Sequence, residues 1–175
     1  AAAIVRYIPF YGELIDTTHS TMRGLAGANG LTLESYQASR LPGEERFHFF
    51  GRHWSEADVV DEFRAFVPAI KHDLTRLSAA PSALSFNACD RALDLMPLSD
   101  YLDRRGAGPL LRAVLDAAYT IEFGREIAQQ SALSLLFFIA ANRRRAFTPF
   151  GVFSDERFHI VEGNDAVPRA MAAGL

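Results

Sequence analysis

The sequence predicts a mainly helical α+β fold, and three observations carry that prediction. Val59, Val60, Phe63, Phe66, Val67, Ile70, Leu74 and Leu77 recur at three- and four-residue steps, the period of a helix with one buried face. Leu110, Leu111, Val114, Leu115, Ala118 and Tyr119 repeat that pattern. Alternation of apolar and polar residues is confined to short stretches, so strands are few and lie at the edge of a helical body.

Residues 4–15 mix β-branched and aromatic side chains around Pro9 and Gly12, which reads as two short extended pieces with a turn at Gly12. A helix follows, capped by Asp16, Thr17 or Thr18, buried through Met22, Leu25 and Ala26, and stopped by Asn29 and Gly30. Residues 31–36 alternate, and 46–50 do so again beyond Pro42 and Gly43, so the two are expected as a short hairpin or as two sheet-edge strands. Ser55 and Asp58 have capping-box spacing ahead of the long helix, which Pro68 should kink. Residues 79–85 form a loop around Pro81. A short helix opens at Leu98 and Ser99 and ends at Gly106, and Pro109 starts the next, which Gly124 breaks. A helix from Ile127 to about Asn142 is apolar nearly all round and should be central. After Pro149 and Gly151, residues 157–161 read as a strand, Glu162, Gly163 and Asn164 as a tight turn, and Ala166 onward as a terminal helix with Pro168 in its first turn.

The 175 residues are 49% hydrophobic and 22% charged, an ordinary globular composition. A chain of this length buries roughly 70% of its unfolded surface, enough for one core or two small ones. Eighteen basic against 21 acidic residues, a net charge of -3, give no general attraction to nucleic acid or anionic lipid. The single cysteine, Cys89, cannot close an internal disulfide and reads as a small buried hydrophobe. The longest apolar run, 132–141, is far short of the about 20 residues that span a bilayer, and the first residues lack the order of a signal peptide. A soluble, cytoplasmic protein that engages neither membrane nor nucleic acid is the expectation.

Most chemical motifs fail on spacing. Gly106-Ala107-Gly108 is followed by Pro109 and Leu111 and cannot make a dinucleotide fingerprint, and Gly24, Gly27 and Gly30 lack the partners of a phosphate loop. His19, His48, His53, His72 and His159 fall on separate elements without a metal-ligand pattern, so no metal is expected. Cys89 has no identifiable base, and Lys71, the one lysine, sits in an amphipathic helix. Glu122 and Glu126, one helical turn apart, could share a proton, but a solvated role fits them better with Gly124 between them. Arg143, Arg144 and Arg145 end the apolar helix, where cations complement its dipole; anion binding is the other reading.

Three ordered stretches resemble the flavin-dependent amine oxidase family, which includes monoamine, polyamine and L-amino-acid oxidases. Tyr11-Gly12-Glu13-Leu14-Ile15-Asp16-Thr17-Thr18-His19, with Leu25-Ala26 and Gly30-Leu31, looks like the family's G-G-E-L-I-D segment, Tyr11 replacing a glycine. Tyr119, Glu122, Gly124 and then Ser131-Ala132-Leu133 with Leu135 and Leu136 resemble its E-x-G and S-A-L pattern. Phe158-His159-Ile160-Val161-Glu162-Gly163-Asn164-Asp165, followed by Pro168 and 170–175, is similar to its strand, G-G-N turn and helix, Glu162 replacing a glycine.

The resemblance implies three regions: short strands and a first helix on the flavin side (1–54), a helical substrate-binding domain with a few strands at its edge (55–147), and a strand, turn and helix returning toward the flavin domain (148–175). It covers the middle of the family's longer polypeptide, without the βαβ unit that holds the dinucleotide half of FAD. It implies FAD contact at Gly12, Glu13 and Leu14, and a substrate cavity lined by Ala117, Phe138, Phe150 and Val152, with catalytic residues outside this segment. The implied reaction oxidises a C–N bond of a small amine or amino acid to an imine and forms hydrogen peroxide once the remaining flavin-binding portion is present. An apolar face around Phe137 and Phe138 would then favour homo-oligomers. The other reading is a non-catalytic helical binding or dimerisation module derived from such an oxidase.

Overall fold

The computed structural model describes residues 14–36, 38, 46–139 and 155–174. In chain order its elements are α1 (Ser20–Ala28), β1 (Leu33–Ser35), β2 (Arg46–Phe49), β3 (Arg52–Ser55), α2 (Glu56–Leu74), α3 (Ala88–Asp94), α4 (Leu98–Arg104), α5 (Pro109–Phe123), α6 (Ala132–Phe138), β4 (Phe158–Ile160) and α7 (Ala166–Ala173). The architecture is a mainly helical α+β fold with two antiparallel two-stranded sheets among the described residues. The chain divides into two compact units, one made of residues 1–42 with 153–175 and the other of residues 43–152.

In the first unit, α1 starts later than its polar lead suggests. His19 takes the N-cap position without a side-chain bond, because Asp16 and Thr17 are committed to a segment nearly 140 positions away. β1 does not form a hairpin with residues 46–50; it pairs with β4, Leu33 opposite Ile160 and Ser35 opposite Phe158. Ile15, Ala26, Ile160 and Val167 form the small core, with Met22, Leu25, Leu31, Leu33 and Phe158 packed on it.

In the second unit, β2 pairs instead with β3 through the two-residue turn Phe50-Gly51, whose φ angles of 56° and 73° are both left-handed. Paired left-handed residues match the twist of a hairpin. Ser55 then caps α2 in a full capping box with Asp58. The helix runs through Pro68, which lies on its exposed side, while Val59, Val60, Phe63, Phe66, Val67 and Ile70 are buried. Each such side chain contributes about 1.5–3 kcal/mol relative to exposure. These residues meet Leu110, Leu111, Val114, Leu115 and Tyr119 of α5 in the larger core.

Helix α3 has no long apolar period to announce it and is absent from the sequence expectation. It forms because Asn87 and Asp90 make a second capping box, and because Asp90 also binds the backbone and hydroxyl of Ser78 at 3.0 and 2.6 Å. The apolar helix expected from Ile127 to Asn142 is interrupted: a 3-10 turn, Ile127–Gln129, precedes α6, and Ile139 is already extended. Gln130 is pulled out of helical conformation by tertiary bonds. Its carbonyl accepts Leu98 N–H at 2.8 Å, its amide donates to the carbonyls of Tyr119 and Arg125, and Ala132 N–H goes to Met96 O at 2.9 Å. α6 is central as expected, with Ala132, Leu133, Leu135 and Leu136 buried.

Candidate functional site

Two of the stretches that carry the family resemblance interlock in the first unit. Ile15 and Phe158 exchange backbone hydrogen bonds of 2.6 and 2.9 Å. Beside them Asp16 Oδ1 accepts the N–H groups of Asp155 and Glu156 at 2.9 and 2.7 Å. Asp155 in turn accepts Thr17 N–H at 2.8 Å and the Thr17 hydroxyl at 2.6 Å. The Thr17 hydroxyl is the main reason that the Asp155 carboxyl sits below the usual carboxylate range. Further along, Glu162 accepts Thr32 N–H with both carboxylate oxygens, at 3.2 and 3.0 Å, and that bond lowers its pKa. Glu162 thus ties the turn after β4 to the residue before β1.

Leu14 is half-buried and leads directly into this joint, whereas Gly12 and Glu13 lie outside the described residues. Leu14 offers a flavin an apolar wall and no polar group.

In the second unit Ala117 is exposed and lines a shallow groove of about 380 Å3. Ala113, Asp116, Ala117, Thr120 and Ile121 of α5 line it together with Phe49 of β2 and Glu126. Asp116 already accepts the Thr120 hydroxyl at 3.3 Å and lies 3.9 Å from Arg112. An apolar strip rimmed by carboxylates suits an apolar body with a cationic end. No nucleophile paired with a base lies among these residues.

Phe138 is the last residue of α6. Its ring meets Phe123 edge-on at 5.7 Å, and Phe123 meets the buried Tyr119 at 5.7 Å. Ala117 lines the groove along α5 and Phe138 of α6 packs on Phe123; Phe150 and Val152 lie outside the described residues. A second groove of about 400 Å3 is lined by Phe86, Leu95, Leu133 and Phe137, with Arg91 and Asp94 among its polar residues.

Other candidates fall away or move. Glu122 and Glu126 are not one turn apart on a helix, since α5 ends at Phe123 and Gly124 turns left-handed at φ 64°. Cys89 is free and half-buried, and Lys71 is exposed. Arg143, Arg144 and Arg145 lie outside the described residues. No helix among the described residues is long and apolar enough to cross a membrane.

Two constellations escaped the sequence reading. Asp73, fully buried at the end of α2, accepts Arg105 Nε at 2.7 Å and Nη2 at 3.1 Å. Burial pushes its pKa up, but the Arg105 hydrogen bonds outweigh that and hold it low. Tyr101, buried beside them, has its hydroxyl pushed well up, by burial first and the Asp73 charge second. A charge set three positions after Ile70, on the apolar stripe of α2, was the available signal. The second constellation is a pair of histidines: His48 and His53 face each other across β2 and β3, with ring centres 5.0 Å apart. Their five-residue spacing around Phe50-Gly51 is the hairpin signature that separate placement overlooked.

The fold and grooves define a mainly helical α+β protein in which a helical unit is inserted between the two halves of a smaller unit. No protein-family model matches the chain, and no curated protein matches it.

Proposed function

We propose that this chain is the substrate-domain portion of an FAD-dependent amine or L-amino-acid oxidase, with the dinucleotide-binding part supplied by polypeptide outside this sequence. The observation that carries the reading is the joint of the first unit. The stretches around Ile15 and Phe158, which each resemble a part of the family pattern, are hydrogen-bonded neighbours although 143 positions separate them. Their meeting leaves the helical residues between them as an insertion, the topology that a substrate domain interrupting a flavin domain requires. The groove at Ala117, apolar with an acidic rim, supports an amine as the ligand.

A flavin bound by the rest of the enzyme would supply the two-electron oxidation of the C–N bond, with dioxygen as the final oxidant. The residues of this chain contribute binding and exclusion of water. Glu126 favours a cationic end at the groove, Asp116 being shared with Arg112, while Phe49, Ala113, Ala117 and Ile121 receive the apolar body.

The test is visible absorption of the purified chain before and after addition of FAD, followed by the same measurement and a peroxide assay on a panel of amines with the flavin-binding portion present. The isolated chain should be colourless, and the assembled protein should show a flavin band and amine-dependent peroxide. An assembled protein that binds no flavin refutes the proposal.

A further inference from the structure

We infer that the β2–β3 hairpin holds a divalent transition-metal ion between His48 and His53. The two residues are register partners on adjacent antiparallel strands, so their side chains project from the same face of the hairpin. Both are exposed, and neither ring has a hydrogen-bond or ion-pair partner among the described residues. Their ring centres lie 5.0 Å apart with planes inclined by 60°. A metal–nitrogen bond is about 2.0–2.1 Å, and a ring nitrogen lies about 1.1 Å from its ring centre. Two imidazoles on one ion therefore have centres about 4.5 Å apart at a right angle and about 5.2 Å apart at a tetrahedral angle. The observed separation falls between these limits, so one ion bridges the pair by side-chain rotation alone.

The backbone beneath the pair is fixed. The left-handed Phe50-Gly51 turn sets the register, Phe47, Phe49 and Trp54 on the opposite face pack against the larger core, and the Trp54 indole N–H donates to Phe49 O at 3.1 Å. Arg52 stacks on the Trp54 ring at 3.5 Å and so turns away from the histidine face. Neutral imidazoles select Zn2+, Ni2+ or Cu2+ over the oxygen-seeking Mg2+ and Ca2+, and water fills the remaining positions. Among the described residues no third histidine, cysteine or carboxylate joins the pair, and an ion held by two imidazoles is open to exchange.

The test is calorimetric titration of the untagged protein with Zn2+, beside His48→Ala, His53→Ala, His48→Gln and the control His72→Ala, with Trp54 fluorescence to verify folding. One ion per chain is expected. Losing one of two linked ligands removes the gain of effective concentration, so each variant at His48 or His53 should bind on the order of 100-fold more weakly while His72→Ala does not change. Substoichiometric Cu2+ should broaden the NMR signals of residues 47–54 first. The inference is overturned if the wild-type protein takes up no Zn2+, or if His48→Ala and His53→Ala bind it as the wild type does.

Discussion

Replacing Asp73 with alanine tests whether the larger core is fastened by a charge. Asp73 is fully buried and its two bonds to Arg105 have lengths of 2.7 and 3.1 Å, while the Arg105 side chain keeps 29% of its exposure. Removing one partner of a fully buried pair costs about 3–5 kcal/mol, and an exposed pair contributes about 0–1 kcal/mol. Arg105 can turn to water, so a loss of about 2–3 kcal/mol is expected. For a unit of this size that is a fall of roughly 10–20 °C in Tm, or about 1–2 M in the urea midpoint. Trp54, the single tryptophan, packs on that core and reports it by fluorescence. A double-mutant cycle with Arg105→Ala isolates the pair, and a coupling within about 0.3 kcal/mol of zero would refute the reasoning. The pH dependence has a definite sign. The folded pKa of Asp73 is lowered, so its contribution is complete well above the unfolded value of about 3.9 and is lost as the pH falls through the folded value. Asp73→Ala should therefore flatten the acid limb of the stability profile.

Further outcomes follow from single contacts or single backbone angles. Glu62 on α2 accepts Leu111 N–H at 2.8 Å and so caps α5 from a neighbouring helix. Glu62→Ala should cost about 1 kcal/mol, and Gly108→Ala, whose new methyl would strike the Glu62 carboxylate, should lower the urea midpoint by a similar amount. Gly124 has open space around it but φ of 64°, so Gly124→Ala should cost about 1 kcal/mol through strain alone. By the same physics Phe50→Asn, at a φ of 56° and 64% exposure, should raise the Tm. Thr17→Val should bring the Asp155 carboxyl back toward the ordinary range in an NMR titration, because the lost hydroxyl bond is the largest cause of its lowered pKa. An unchanged Asp155 midpoint would show that this bond is not made in solution.

What the sequence by itself determined lies within a few residues of its signal. The stripe on α2, the Ser55–Asp58 box, Pro109 at the start of α5 and the left-handed stops at Gly106, Gly124 and Gly163 were all legible, because periodicity and capping act over one or two turns. The tertiary structure decided the rest. β1 chose β4 over β2, Asp16 turned from capping α1 to binding Asp155 and Glu156, Gln130 left the helical path for Leu98, Tyr119 and Arg125, and Phe138 of α6 came to pack on Phe123 of α5. His48 met His53 only once the Phe50-Gly51 turn closed. In each case two chemically adequate partners compete for one group, and the winner is set by which distant backbone the packed core brings within about 3 Å. Local propensity carries no information about that distance.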